Sequence, residues 1–149
     1  MAGNSKLDIP LREWLGKNKE RVLSEWLKLI LPEQSEFFET QQDRFANPVG
    51  FAFRKAADSI CQAIIDGVEV DRDSIEYAIK IKALEGNDPA AGVAFIRSFG
   101  DIVRKTQADF IRERDLAELD SRLDQIAAVA AELFVACRLQ IALLSGKLD

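Results

Sequence analysis

The spacing of apolar residues is the feature that most constrains how this chain can fold. Along the 149 residues, apolar side chains recur at intervals of three and four, and runs that alternate Val, Ile, Thr or aromatic residues with polar ones are absent. Intervals of three and four place side chains on one face of an α-helix, whereas a strand needs an interval of two. The sequence therefore predicts an all-α fold of about six helices.

Residues that start or stop helices give the expected boundaries. The predicted helices span about 10–31, 48–66, 73–84, 89–112 and 115–145, with a short sixth segment within 33–44. Pro48 and Pro89 suit first-turn positions, where the missing N–H has no partner to lose. Asp73 opens a sequence that resembles a capping box, Asp73-Ser74-Ile75-Glu76. Gly67 and Gly146 follow the ends of two helices, where a left-handed residue is favoured.

Length and composition indicate one soluble domain. We expect residues 1–9 to be a disordered tail and residues 10–149 to form a single helical domain. The chain is 48% hydrophobic and 30% charged, which is usual for globular proteins, and its net charge of −5 argues against nucleic acid as a partner. Cys61 and Cys137 are too few for a disulfide scaffold, so we expect a reducing, cytoplasmic environment.

The chain has no histidine, which removes several kinds of catalytic site. Ser-His-Asp and Cys-His nucleophilic sites are excluded, as are haem and zinc sites with histidine ligands. No phosphate-binding glycine loop is present, and no pair of carboxylates stands out as an acid/base couple. We interpret Asp71-Arg72-Asp73 as a helix start and not as a metal site. The prediction is a non-enzyme without a metal or cofactor.

The last predicted helix is apolar on nearly every side. One seam has heptad spacing: Leu116, Leu119, Leu123, Ile126, Ala130, Leu133 and Cys137. Ala127, Phe134 and Ile141 form a second apolar line, and Val129 and Ala136 a third. Such a helix needs cover on nearly every side, so we expect a homodimer through its C-terminal half. The candidate interface residues are Val129, Ala130, Leu133, Phe134, Cys137 and Ile141.

The last helix has two alternative interpretations. It could be a central core helix wrapped by the other five, which would need no second copy. It could also cross a membrane, but Glu132 and Arg138 lie within its apolar segment, Ile126 to Leu144, and each costs about 2.5–3.5 kcal/mol at a bilayer centre. We therefore expect no membrane span.

The nine phenylalanines, set against one tyrosine, suggest a second kind of site. Phenylalanine at helical spacing usually belongs to the core. Large rings that cross between helices can also enclose a cavity for a small apolar ligand. The candidate lining residues are Phe51, Phe95, Phe99 and Phe134.

Charged residues concentrate in residues 104–124. We interpret this segment as a solvated corner between the last two helices, held by ion pairs within each helix.

Two motifs resemble a known family. The first is Arg44-Phe45-Ala46-Asn47-Pro48-Val49-Gly50. The second runs from Ile81-Lys82-Ala83-Leu84-Glu85 through Pro89 to Val93-Ala94-Phe95-Ile96. Together with an early tryptophan pair and the long last helix, they resemble the N-terminal domain of RsbR-type stressosome sensors, the RsbRD N-terminal family of non-haem globins. The resemblance covers about residues 10–145, with Gly92 and Gly100 in place of the Ala and Lys expected there.

The resemblance implies a globin-like bundle without haem that dimerises through its last two helices and senses a signal. The STAS output domain that usually follows is not within the 149 residues, so we expect a stand-alone regulatory module. The predicted function is non-catalytic signalling through contacts with an unidentified protein partner. The alternative function is binding of a small apolar ligand in a haem-free pocket.

Overall fold

The computed structural model of the chain describes residues 10–31, 48–85, 88–107 and 111–146. These residues form five helices and no strand. In chain order the helices are α1 (Leu11–Ile30), α2 (Pro48–Asp66), α3 (Arg72–Leu84), α4 (Pro89–Gln107) and α5 (Glu113–Leu144). The all-α class predicted from the apolar spacing is confirmed.

The predicted count of six helices in a globin-like arrangement is not confirmed. Five helices occupy the described ranges, and the candidate sixth segment, 33–44, lies outside them. Apolar residues are least periodic in that segment, so a helix was least strongly predicted there. The predicted tail, residues 1–9, is likewise outside the described residues.

The start of α3 differs from the predicted capping box. The side chain of Asp71 accepts a hydrogen bond from the backbone N–H of Asp73 at 3.1 Å. The Ser74 hydroxyl donates to the other Asp71 carboxylate oxygen, also at 3.1 Å. Asp71 therefore caps the helix, and the prediction that Asp73 opens it was wrong, because Asp73 already lies in the first turn.

The predicted start of α4 and the two predicted glycine positions agree with the structure. Asp88 accepts a hydrogen bond from the N–H of Ala91 at 2.7 Å, which caps α4 just before Pro89. Gly67 and Gly146 have φ values of 70° and 73°, the left-handed conformation expected after a helix end.

One core joins all five helices. α5 packs mainly against α4 and α3, while α2 packs against both α1 and α3. Trp26 joins α1 to α4: its indole N–H donates to the backbone oxygen of Phe95 at 2.9 Å, and its ring centroid lies 4.7 Å from that of Phe99. The heptad seam of α5 contributes six buried residues: Leu116, Leu119, Leu123, Ile126, Ala130 and Cys137. One side of α5 is thus buried in the bundle from Leu116 to Cys137.

Candidate functional site

The six residues predicted for a dimer interface divide into two groups. Ala130, Phe134 and Cys137 are buried in the core of the chain itself, at 0%, 1% and 6% exposure. The other three are half-buried and pack at the margin of this core: Val129, Leu133 and Ile141. Only this second group retains surface that another molecule could cover.

A different set of α5 residues lies on the outer side of the helix, with Ala131 at its margin against the core. These residues are apolar and at least partly exposed, and we call them the outer stripe: Ala128, Ala131, Val135, Leu139 and Ala142. Val135 and Leu139 are 55% and 53% exposed. Intervals of three and four between the members place them on one side of the helix. Leu143 and Leu144, at 58% and 83% exposure, extend the apolar surface to the end of α5.

Sequence reasoning missed the outer stripe, although its signal was present. Its members lie mostly one residue after a core position, as Ala128 follows Ala127 and Val135 follows Phe134. Because one residue turns an α-helix by about 100°, such a displacement moves the side chain from the core to the surface. The angle between successive residues therefore distinguishes the buried face of α5 from its exposed face, although both faces are apolar.

A groove lies beside the outer stripe, where α4 and α5 meet. It measures about 330 Å³ and is lined largely by small apolar residues: Pro89, Ala90, Val93, Ala94, Ala127, Ala128 and Ala131. Arg97 and Asp124 also line it, with Nε of Arg97 3.3 Å from the Asp124 carboxylate. The outer stripe and this groove form a continuous apolar surface with a charged margin.

The hydropathy of α5 is high for a helix with so little cover. Its most apolar 18-residue window has a mean hydropathy of 1.9, long and apolar enough to span a membrane by composition alone, and 28% of that window is buried in the chain. A helix that packs in a protein core can have the same composition, so the mean hydropathy does not show whether protein or lipid covers the exposed side of α5. The exposed side chains of Val135, Leu139, Leu143 and Leu144 place apolar surface on the C-terminal half of α5.

Three of the four phenylalanines predicted to line a pocket pack against other parts of the described chain, and the fourth, Phe51, borders the surface. Phe95 packs edge-on against Phe53, with ring centroids 5.5 Å apart, and Phe99 packs against Trp26. Phe134 lies against the backbone of α4 at Gly92. The half-buried Phe51 borders an open surface hollow of about 410 Å³ with Arg54, Lys55 and Asp58.

A separate cavity of about 210 Å³ lies between the segment that enters α3 and one side of α5. Its lining combines apolar and charged side chains: Glu69, Val70, Arg72, Arg122, Gln125, Ile126 and Val129. The Nη2 atom of Arg122 is buried, and it has no hydrogen-bond partner among the described residues. No sequence pattern marked this cavity, because its residues come from two distant segments.

The charged corner between α4 and α5 is held across helices. Arg104 of α4 donates two hydrogen bonds to the Asp120 carboxylate of α5, at 2.9 and 2.8 Å. The hydrogen bond to Asp120 raises the pKa of Arg104 above its ordinary value. Arg104 also lies 3.9 Å from Glu113. The prediction of ion pairs within each helix was therefore wrong for the strongest contact at this corner.

The two thiols are free and buried. Burial raises the pKa of Cys61 to about 12, and burial also raises the pKa of Cys137. A thiol reacts as its thiolate, so both side chains are poor nucleophiles in the folded chain. Among the described residues, no group of three or more Cys, Asp or Glu side chains could hold a metal ion.

Comparison with known proteins places this chain in a family. Neither the curated proteins nor the solved structures compared with it include a match. Among protein families, the one described as the RsbT co-antagonist protein rsbRD N-terminal domain matches residues 20–145, which span α1 from Glu20 onward and all of α2 to α5. Because this match covers most of the 149 residues, the chain belongs to the RsbRD N-terminal domain family.

Proposed function

We propose that this chain is a non-catalytic regulatory module of the sensor type, which acts through protein–protein contacts as a homodimer. Membership of the RsbRD N-terminal domain family supports a role in regulation, since the family is described by antagonism of another protein. The free, buried thiols suit a reducing cytoplasm as its location.

The outer stripe is the observation that carries this proposal. Val135 and Leu139 each leave about half of an apolar side chain in water on the same helix side. From Ala128 to Leu144 the apolar surface extends for about 25 Å at 1.5 Å per residue. Together with the adjoining groove and its charged margin, this surface has the apolar centre and polar rim of a protein interface.

The charges along this surface favour a second copy of the chain over a lipid bilayer. Glu132 and Arg138 lie on α5 among the residues of the outer stripe, and both are exposed. Arg97 and Asp124 form an exposed ion pair beside the groove. Each sign is present, so a two-fold symmetric partner can offer the opposite charge to each, as isologous interfaces do. A bilayer would place these exposed charged side chains in hydrocarbon, which is costly.

The alternative function, a small apolar ligand among the phenylalanines, is not favoured by any contact of those rings. Phe95 packs against Phe53, Phe99 packs against Trp26, and Phe134 occupies the space above Gly92. A ligand there would have to displace packed core side chains, which is costly.

Co-expression of tagged and untagged chains in the native host tests self-association in the cell. We expect the tagged chain to recover the untagged one, and Val135→Lys to abolish this recovery because it would bury an unpaired ammonium. Val68→Lys is the matched control, since Val68 is 53% exposed but lies outside α5. Recovery that is absent for the wild type, or equal for Val135→Lys and Val68→Lys, would contradict the proposal.

A further inference from the structure

We draw no further inference here: the strongest candidate, the apolar hollow of about 100 Å³ between the C-terminal ends of α3 and α5 that Leu84, Ile141 and Leu144 line, carries none because nothing in the described residues shows what covers it.

Discussion

The ring of Phe134 lies so close to Gly92 that no side chain fits between them. A Cβ atom at Gly92 would come within 2.3 Å of Cε2 and 2.6 Å of Cδ2 of Phe134. Such separations are far below van der Waals contact. The glycine therefore lets a buried ring of α5 rest directly on the backbone of α4, which explains its place inside a helix where alanine is intrinsically preferred.

We predict that Gly92→Ala lowers the free energy of unfolding by about 1–3 kcal/mol, as overpacking of a core usually does. The ring of Phe134 is fully buried and cannot move aside without displacing neighbours. Urea unfolding followed by circular dichroism measures the change.

Gly16→Ala is the control for this substitution. A Cβ at Gly16, in α1, would have no atom within 4 Å. Alanine should therefore stabilise the chain there by about 0.5–1 kcal/mol through helix propensity. If Gly92→Ala stabilised the chain as Gly16→Ala does, the close packing of α4 on α5 would be refuted.

The Arg104–Asp120 ion pair should contribute a small, salt-dependent stability. Both side chains are partly exposed, so we expect Asp120→Ala to lower the free energy of unfolding by about 0.5–1 kcal/mol at low salt. The loss should shrink in molar salt, which screens exposed charges. Asp124→Ala removes a longer and more exposed contact, 3.3 Å from Arg97, and should cost less. If both substitutions lowered the free energy of unfolding equally, the two hydrogen bonds from Arg104 to Asp120 would add no more stability than the single contact of Asp124.

The thiol of Cys61 should be nearly inert in the folded chain. Its pKa of about 12, against an ordinary 9.0, reduces the thiolate fraction at neutral pH by about a thousandfold. In a Cys137→Ala variant, where Cys61 is the remaining cysteine, we expect thiol labelling to be slow and to accelerate when urea unfolds the chain. Fast labelling of the folded variant would contradict the burial of Cys61.

The raised pKa of Cys61 predicts that the chain becomes less stable at alkaline pH. The folded chain keeps the Cys61 proton up to about pH 12, whereas the unfolded chain loses it near pH 9. The folded state therefore binds more protons between these values, and stability falls as pH rises through them. Cys61→Ala should remove this part of the alkaline loss, which urea unfolding at several pH values would detect.

Helix positions were predictable from the sequence where the signals are local. The bounds of α1 and α2 follow from apolar spacing and from proline, and Gly67 adopts the left-handed conformation expected of its position. The end of α4 was predicted too late, at about 112 instead of Gln107. The distortion of α1 at Asn18 was also not predicted. The Asn18 side chain donates a hydrogen bond to the backbone oxygen of Trp14 there.

Contacts between segments distant in sequence could not be predicted. Which α5 residues are buried depends on the angle at which α4 and α3 approach, and this placed Phe134 inside and Val135 outside. The Arg122 cavity depends on the path of the chain before α3, more than 50 residues earlier. The spacing of apolar residues predicts that a segment is a helix, but not which elements pack against it. It could therefore predict neither the buried residues of α5 nor the Arg122 cavity.

Val135→Lys should dissociate the proposed dimer without unfolding the chain. The side chain is exposed in the single chain but central in the outer stripe, so lysine is tolerated in the monomer and unfavourable in the interface. We expect at least a hundredfold weaker self-association, about 3 kcal/mol, with an unchanged helical circular dichroism spectrum. Val68→Lys should leave self-association as it is in the wild type.

Light scattering of the purified wild-type chain tests self-association through the outer stripe most directly. At tens of micromolar we predict a molar mass of twice 16.7 kDa, and a fall to 16.7 kDa in Val135→Lys. A wild-type mass of 16.7 kDa at that concentration would contradict the proposed homodimer.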